Sequence, residues 1–218
     1  VTPDPEPAAE ELPLEAIVAT TAGDYETDGG SSEGPAELAT DGNAGTKWHT
    51  EWFPEEGNSY ETHWLQLELD GFYEVSGFKY LPRQDQSTNG DITKYQILVS
   101  VNGKDWTVAA EGDFASGKEW KEVTFDAQVA KYVRLQAVET LGDQGNKHFT
   151  AAAEVRVIGL ETEYVAPVDK AELETLLEET KKLDVSPYTE ESVLNLLFTM
   201  NDVQKVVNNA DATQEEVD

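Results

Sequence analysis

The sequence contains no cysteine, a single methionine, and only 15 lysine and arginine residues against 44 aspartate and glutamate residues. Without cysteine there is no disulfide framework, which leaves both an intracellular and a secreted location open. The formal net charge of −29 predicts repulsion from DNA, RNA and anionic lipid, so we expect neither a nucleic-acid nor a membrane partner. The chain also lacks an apolar run as long as a membrane-spanning helix.

Sequence motifs of common enzymes are missing as well. The chain has no Gly-x-Ser-x-Gly elbow, no His-Glu-x-x-His motif, no phosphate-cradling glycine loop and no cysteine nucleophile. Chance pairs of acidic residues are inevitable among 44 carboxylates, so such pairs say little about catalysis. Two of the three histidines, His63 and His148, have no partner pattern and are predicted to lie at the surface. The sequence therefore favours a binding module over a catalytic domain.

Three regions differ in composition and periodicity. Residues 1–13 are rich in proline and glutamate and are predicted to be an acidic linker. Residues 14–163 contain about eight short segments in which apolar and polar residues alternate, which is typical of an antiparallel β-sandwich. Residues 164–218 have the period of amphipathic helices instead. The predicted strands are Ile17–Thr21, Leu65–Leu69, Val75–Leu81, Tyr95–Val99, Trp106–Ala110, Lys121–Phe125, Tyr132–Val138 and Glu154–Leu160.

The helical region contains three start signals. Asp169 followed by Glu172 is a capping box that precedes a first helix, and Thr189 can cap a second. The segment Thr213–Glu216 is another capping box close to the last residue, so we expect the third helix to be cut short. The start at Val1 without a signal-like apolar core likewise suggests a piece of a longer protein. The apolar positions of the first helix are Leu173, Leu176, Leu177 and Leu183, and those of the second are Val193, Leu196, Leu197, Met200, Val203 and Val207.

The stretch LATDGNAGTKWHTEW brings several oxygen ligands close together. Asp41, Asn43 and Thr46 offer hard oxygen atoms at short spacing, which suits a calcium ion. An EF-hand loop starting at Asp41 would need glycine sixth and glutamate twelfth, but Thr46 and Trp52 occupy those positions. A cation site here must be closed by a distant residue, and Glu154 is the candidate. The alternative, an ordinary turn at Asp41 and a solvated Glu154, remains open at this stage.

A second group of side chains suits a small hydroxylated ligand. His49, Arg83 and Asn89 would supply an imidazole, a guanidinium fork and an amide for pairs of hydroxyl groups. Trp52 or Phe149 could stack on the apolar face of a pyranose ring. Each residue also has a structural explanation, since His49 could be a capping residue, Arg83 part of a surface ion pair and Phe149 a loop anchor.

Residues 36 to about 160 resemble the galactose-binding-like domains of the F5/8 type C, or discoidin, group, and most closely the family 32 carbohydrate-binding modules. The motifs ATDGNAGTKWHTEW, FKYLPRQDQSTNGDITKYQILVSVNGKDW, YVRLQAV and AAAEVRVIG carry the resemblance and occur in the family's order. The resemblance implies a mainly β fold, a β-sandwich jelly roll. It further implies non-catalytic binding of a terminal galactose, N-acetylgalactosamine or lactosamine-type sugar.

The resemblance also assigns two sites residue by residue. It implies a structural calcium ion held by the side chains of Asp41, Thr46 and Glu154 and by the carbonyl groups of Leu38, Asn43 and Ala153. It implies a galactose site made by His49, Trp52, Arg83, Asn89 and Phe149, with Glu33 as an acidic neighbour of the sugar.

Residues 168–218 resemble a FIVAR module, a small three-helix bundle found between domains of bacterial surface and secreted enzymes, here without its last helix. The two modules together imply a monomeric part of a secreted or cell-surface bacterial glycoside hydrolase that acts on host or mucin glycans. Three alternatives are a discoidin-type module that binds protein or membrane, a spacer without a working sugar pocket, and a hydrolase with a carboxylate pair.

Overall fold

The computed structural model describes residues 8–54, 57–164, 168–209 and 212–217. The chain separates into two compact units, one ending at Tyr164 and the other formed by the residues after it. The strands are β1 (Glu10–Glu11), β2 (Ile17–Ala22), β3 (Glu33–Gly34), β4 (Lys47–His49), β5 (Trp64–Leu81), β6 (Ile92–Ser100), β7 (Thr107–Asp113), β8 (Lys121–Thr140), β9 (Ala151–Ala152) and β10 (Glu154–Thr162), and the helices are α1 (Ala171–Thr180), α2 (Glu190–Asn208) and α3 (Gln214–Val217).

The first unit is a β-sandwich whose two layers share the long strands β5 and β8. The first half of β5 pairs with β2 and with the second half of β8, whereas its second half pairs with β10 and the first half of β8. The register shifts between Glu68 and Tyr73, where the strand passes from one layer to the other. The sequence predicted a break near Asp70 and another near Asp126. Instead, Leu65–Leu69 and Val75–Leu81 belong to one continuous strand, β5, and Lys121–Phe125 and Tyr132–Val138 belong to another, β8. Strands β6 and β7 extend the first layer, and β1 extends the second.

The alternation of apolar residues predicts the buried face correctly. Leu65, Leu67 and Leu69 are at most 1% exposed, whereas Gln66 between them is only half-buried. Val155 and Val157 of β10 belong to the same buried cluster. Burying each such side chain stabilises the fold by about 1.5–3 kcal/mol, and the core between the layers fixes the strand ends that carry the site.

The strand β1 corrects the prediction that residues 1–13 form a linker. Glu10 and Glu11 pair with β10, and the amide of Leu12 donates to the carbonyl oxygen of Val157 at 2.9 Å. Leu12 is only 6% exposed, so one apolar side chain in an acidic segment suffices to add an edge strand. The acidic flanks suit an edge position. Residues 1–7 lie outside the described part of the chain.

A small second sheet forms in the stretch that the sequence pattern presented as loop. Strand β4 pairs in parallel with β3 and antiparallel with β9. Trp48 anchors β4, because its ring is fully buried and its Nε1 donates to the carbonyl oxygen of Asp24 at 2.9 Å. Strands this short show no alternation in the sequence, which is why the pattern missed them.

The second unit contains the predicted helices with shifted ends. Helix α1 ends at Thr180, so Leu183 lies beyond it and is 50% exposed. The Thr189 side chain caps α2 and accepts a hydrogen bond from the amide of Ser192 at 3.3 Å. Helix α3 begins after Thr213, whose amide donates to a carboxylate oxygen of Glu216 at 2.8 Å. The last capping box therefore does begin a helix, although one of only four residues.

Candidate functional site

His49 is the last residue of β4 and lines a surface pocket of about 380 Å³. It is only 1% exposed, and its backbone is fixed by pairing with Ala151 on β9. The buried anchor Trp48 precedes it directly. The imidazole is therefore presented to the pocket by rigid strand backbone rather than by a mobile loop.

The hydrogen bonding of His49 determines which ring nitrogen faces a ligand. Its Nδ1 lies 2.6 Å from the carbonyl oxygen of Thr50, and because a carbonyl can only accept, Nδ1 carries the proton. Burial lowers the pKa of His49 below its ordinary value, so the ring is neutral near neutral pH. Nε2 is then a hydrogen-bond acceptor, with a carboxylate oxygen of Glu33 3.9 Å away.

Arg83 lies just after β5 and is held in one orientation. Its Nε and Nη2 donate to the two carboxylate oxygens of Asp85 at 2.8 and 2.7 Å, and Nη1 donates to the backbone carbonyl of Asn89 at 2.9 Å. These bonds keep the pKa of Asp85 well below its ordinary value. The second N–H group of each terminal nitrogen is not used by these bonds and remains for a ligand. The ion pair with Asp85 and a binding role are thus compatible.

Two further contacts fix the loop that carries Arg83. The Lys118 ammonium donates to the carbonyl oxygen of Ser87 at 2.6 Å and to a carboxylate oxygen of Asp91 at 2.8 Å. Gly90 has a φ of +87° and packs so closely on β9 that a Cβ atom would lie 2.9 Å from the Ala151 nitrogen. The loop is therefore pinned on both sides.

Glu33 links the charged and aromatic parts of the pocket. One of its carboxylate oxygens lies 2.8 Å from the Lys47 ammonium. The other accepts a hydrogen bond from Trp52 Nε1 at 3.3 Å and lies 3.8 Å from Arg83 Nη2. The carboxylate therefore orients the indole and balances the local positive charge.

Glu26 is a positioning residue that the sequence did not reveal. It is only 5% exposed, and its carboxylate accepts hydrogen bonds from the amides of Asp28 and Trp52, each at 2.7 Å. Its own amide donates to the carbonyl oxygen of His49 at 2.8 Å. The residue thus ties the backbone of the indole to that of the imidazole.

Three aromatic residues line the pocket with very different exposure. Trp52 is half-buried and meets the His49 ring edge-on, with 6.5 Å between the ring centroids. Phe149 is only 5% exposed and lies 6.2 Å from the same ring. Phe53 is 74% exposed. Trp52 can therefore offer a ring face to a ligand, while Phe149 mainly supports His49.

The structure brings all six predicted residues around this one pocket, namely Glu33, His49, Trp52, Arg83, Asn89 and Phe149. Four more lining residues were not predicted: Phe53, Ser87, Gln144 and Lys147. Phe53 could have been suspected, because a second aromatic residue beside Trp52 has no partner in the strand pattern. Gln144 and Lys147 lie within five positions of the predicted Phe149, but no motif marked them as ligand-binding residues.

His63 is not a surface residue, which corrects the prediction. It is fully buried, and its Nδ1 lies 2.8 Å from the Thr150 hydroxyl. The Asn58 amide nitrogen lies 2.9 Å from His63 Nε2, and the same amide exchanges two hydrogen bonds with the backbone of His148. Those backbone bonds fix the amide orientation, so Nε2 must accept and Nδ1 must donate. His148 is half-buried and pairs with Asp143.

The buried His63 predicts a pH dependence of stability. Burial lowers its pKa from 6.5 to about 4, so between these values the unfolded chain binds a proton that the folded chain does not. The contribution of neutral His63 to stability is therefore complete above pH 6.5 and falls as the pH drops toward 4, by at most about 3 kcal/mol. Chemical denaturation of the wild type and of His63→Gln, whose amide can make the same two hydrogen bonds, measures the difference. We expect a flatter profile in the variant, and identical slopes would contradict the assignment.

The predicted cation loop folds around Asp41. One oxygen of its carboxylate accepts from the amide of Asn43 at 2.8 Å, and the other accepts from the Thr46 hydroxyl at 2.7 Å. The Thr46 hydroxyl also lies 2.7 Å from the carbonyl oxygen of Asn43. Gly42 has a φ of +79° that permits the tight turn. The carboxylate, the hydroxyl and the carbonyl thus form one group of oxygen atoms.

Glu154 approaches this loop from the start of β10. Its side chain is 2% exposed, one oxygen pairs with Arg156, and the other is buried without a hydrogen-bond partner. Burial raises the pKa of Glu154, and the nearby Asp41 carboxylate adds to the increase. Two carboxylates that face each other with an unsatisfied buried oxygen fit a hard cation. Among the described residues, no cluster of three or more His, Cys, Asp or Glu side chains could hold a metal, so hydroxyl and carbonyl oxygens would have to complete the site.

Comparison with known proteins gives one family and several similar structures. The family model of the F5/8 type C domain matches residues 17–155. A sialidase from Micromonospora viridifaciens is 36% identical over 128 residues, which are 58% of this chain and 19% of the sialidase. A galactose oxidase from Gibberella zeae is 31% identical over 141 residues, 64% of this chain and 20% of that protein. The chain thus spans about a fifth of the length of these curated relatives.

Two solved structures from Clostridium perfringens have the same fold. The module CpGH89CBM32-5, in complex with GalNAc-β-1,3-galactose, is 35% identical with a TM-score of 0.59, covering 67% of this chain and 98% of the module. The family 32 module of NanJ, in complex with galactose, is 29% identical with a TM-score of 0.57, covering 69% of this chain and 99% of the module. Within the part of the chain that the structure describes, no helix is long and apolar enough to cross a membrane.

Proposed function

This chain belongs to the F5/8 type C domain family, and we propose that it is a non-catalytic carbohydrate-binding module for terminal galactose-configured sugars. The observation that carries the proposal is the convergence of an acceptor imidazole, a donor guanidinium and an indole on one pocket. Two similar structures are described in complex with galactose and with a GalNAc-containing disaccharide. Family 32 modules of this kind are binding domains, which favours binding over catalysis here.

The polar groups suit a hydroxyl that both donates and accepts. A sugar hydroxyl can give its proton to His49 Nε2 and accept one from a terminal nitrogen of Arg83. The axial O4 of galactose, together with O3, can occupy this position, whereas the equatorial O4 of glucose points elsewhere. Glucose would then leave buried polar groups unpaired, at a cost of about 1–3 kcal/mol.

The apolar side of the sugar would pack on Trp52. Its ring is the half-buried aromatic surface of the pocket, and two carboxylates restrain it, since Glu33 holds the indole nitrogen and Glu26 the amide. Galactose presents a continuous patch of C–H groups on one face, which suits packing on an aromatic ring. A site that covers one ring should bind weakly, so attachment to an enzyme would increase binding through effective concentration.

Titration calorimetry with methyl galactoside and methyl glucoside tests the proposal on the wild-type chain. We expect galactoside binding that is about tenfold tighter or more, from the unpaired polar groups in the glucoside complex. An equal response to both sugars would refute the role of O4. Binding of neither sugar would leave the chain as a spacer.

We also propose a structural calcium ion at the Asp41 loop. Side chains of Asp41, Thr46 and Glu154 would hold it, together with the carbonyl groups of Leu38, Asn43 and Ala153. When bound, the ion would supply positive charge between two facing carboxylates. It would join the loop before β4 to the start of β10, which come from opposite ends of the first unit.

The second unit supports a proposal about the parent protein. Helices α1 and α2, and the short helix α3 behind a capping box, agree with a FIVAR-like module at residues 168–218. Such a module beside a sugar-binding domain suits a bacterial glycoside hydrolase that is secreted or attached to the cell surface. In that setting the sugar-binding domain would direct the enzyme to host or mucin glycans.

A further inference from the structure

The charges around the pocket do not cancel. Arg83 is paired with Asp85, and Lys47 with Glu33. Lys147 also lines the pocket, but among the described residues no carboxylate forms an ion pair with its ammonium. Its ammonium lies over the ring of Phe53, 5.9 Å from the ring centroid. Among the lining residues that the structure describes, the charge of Lys147 is therefore not balanced by a carboxylate.

This positive charge stands in a strongly acidic chain. The sequence has 44 acidic and 15 basic residues, and most lysine and arginine side chains pair with a carboxylate, Lys79, Lys94 and Lys118 among them. An unpaired ammonium at a pocket wall is available to a ligand without first breaking a protein ion pair. A charged hydrogen bond to a ligand anion is also stronger than a neutral one.

The backbone of Lys147 is fixed, so its ammonium has a limited reach. The amide of Gln144 donates to the carbonyl oxygen of Lys147 at 2.9 Å, and the amide of Lys147 donates back at 3.1 Å. Asp143, beside this turn, accepts hydrogen bonds from Tyr60 at 2.6 Å and from His148 at 2.7 Å. The turn is thereby locked against the body of the sandwich, with Lys147 directed along Phe53 at the pocket rim.

We propose that Lys147 makes the pocket selective for galactosides that carry an anionic group, either a sulfate ester or the carboxylate of an attached acidic sugar. The inference rests on the proposed function, because it assumes that a galactose-configured ring occupies the part of the pocket formed by His49, Arg83 and Trp52. Phe53, exposed beside Lys147, provides apolar contact for the part of the ligand that bears the charge.

Binding to the full chain is measured by calorimetry with N-acetyllactosamine, its 3-O- and 6-O-sulfated forms, and its sialylated forms. We expect the best anionic ligand to bind about five- to tenfold tighter than the neutral sugar. The sulfated and sialylated forms separate the two sources of charge. In Lys147→Gln the advantage should vanish while affinity for the neutral sugar stays within about twofold, as expected for a contact made only to the anion.

Lys104→Gln is the matched control. Lys104 lies exposed on a turn outside the pocket, so the substitution removes the same charge from the whole chain and should leave the preference intact. Anionic ligands that bind no better than the neutral sugar, or a preference that survives in Lys147→Gln, would overturn the inference while leaving galactose binding in place. If no galactoside binds, the proposed function and this inference both fail.

Discussion

Replacing Arg83 by lysine should abolish the preference for galactose over glucose and weaken galactose binding by about 10- to 100-fold. Lysine keeps the positive charge but cannot hold both oxygens of Asp85 and the carbonyl of Asn89 while pointing further N–H groups at a sugar. The guanidinium makes all three protein bonds at 2.7–2.9 Å. Calorimetric titration of both methyl glycosides against wild type and variant measures the two effects.

Arg83→Lys would also weaken binding indirectly if it disturbed the structure of the loop that carries Arg83. The control variant Lys118→Gln separates this indirect effect from the loss of a direct contact with the sugar. Lys118 pins the same loop through Ser87 and Asp91 but does not line the pocket. We expect this control to bind galactose less tightly while keeping the ratio between the two sugars. An unchanged ratio in Arg83→Lys would show that the guanidinium does not read O4.

Removing calcium should lower the free energy of unfolding by about 3 kcal/mol when the ion is initially present at 100 times its dissociation constant. The proposed ion would bind only the folded chain, because Asp41 and Glu154 are 113 positions apart and meet only after folding. Thermal unfolding is recorded in calcium and again after long equilibration with chelator. An unchanged melting temperature would count against the site.

Glu154→Gln keeps the shape of the side chain but removes its charge. It should abolish most of the response to chelator, whatever the variant's own stability after the loss of its pairing with Arg156. Asp105→Asn is the matched control, since it removes one carboxylate charge from an exposed turn. We expect Asp105→Asn to respond to chelator like the wild type. A full response in Glu154→Gln would exclude Glu154 as a ligand.

The sequence predicted the strands in which buried and exposed residues alternate. The alternation in β5, β6, β8 and β10 follows the inward and outward faces of the sandwich, so those strands could be recognised. The pattern could not show that β5 continues past Asp70, because a bend and a turn look alike locally. It missed β3 and β9, which have two residues each, and β1, whose pairing depends on an edge contributed by β10.

The candidate site followed from the sequence only in part. The residue types of His49, Arg83 and Trp52 suggested one site for a hydroxylated ligand, but His49 and Arg83 also had structural explanations until the family resemblance assigned them to a galactose site. The burial of His63 could not be inferred, since its partner Thr150 lies 87 positions away. Lys147 escaped notice although Phe149, two positions on, was predicted, because its place at the pocket depends on the turn from Gln144 to Lys147.

The pairing of the outer strands has a mechanical consequence for any larger protein that contains this unit. Leu81, just before the loop that carries Arg83, pairs with Glu154, whereas Phe72 pairs with Thr162 at the far end of the same ladder. The chain leaves the sandwich at Thr162, and the pairing of Glu10 with Gly159 directs the incoming segment to that end too. Both connections to the sandwich therefore lie at the end of the β10 ladder opposite Leu81 and the loop that carries Arg83, so a segment joined at either point starts at a distance from the pocket.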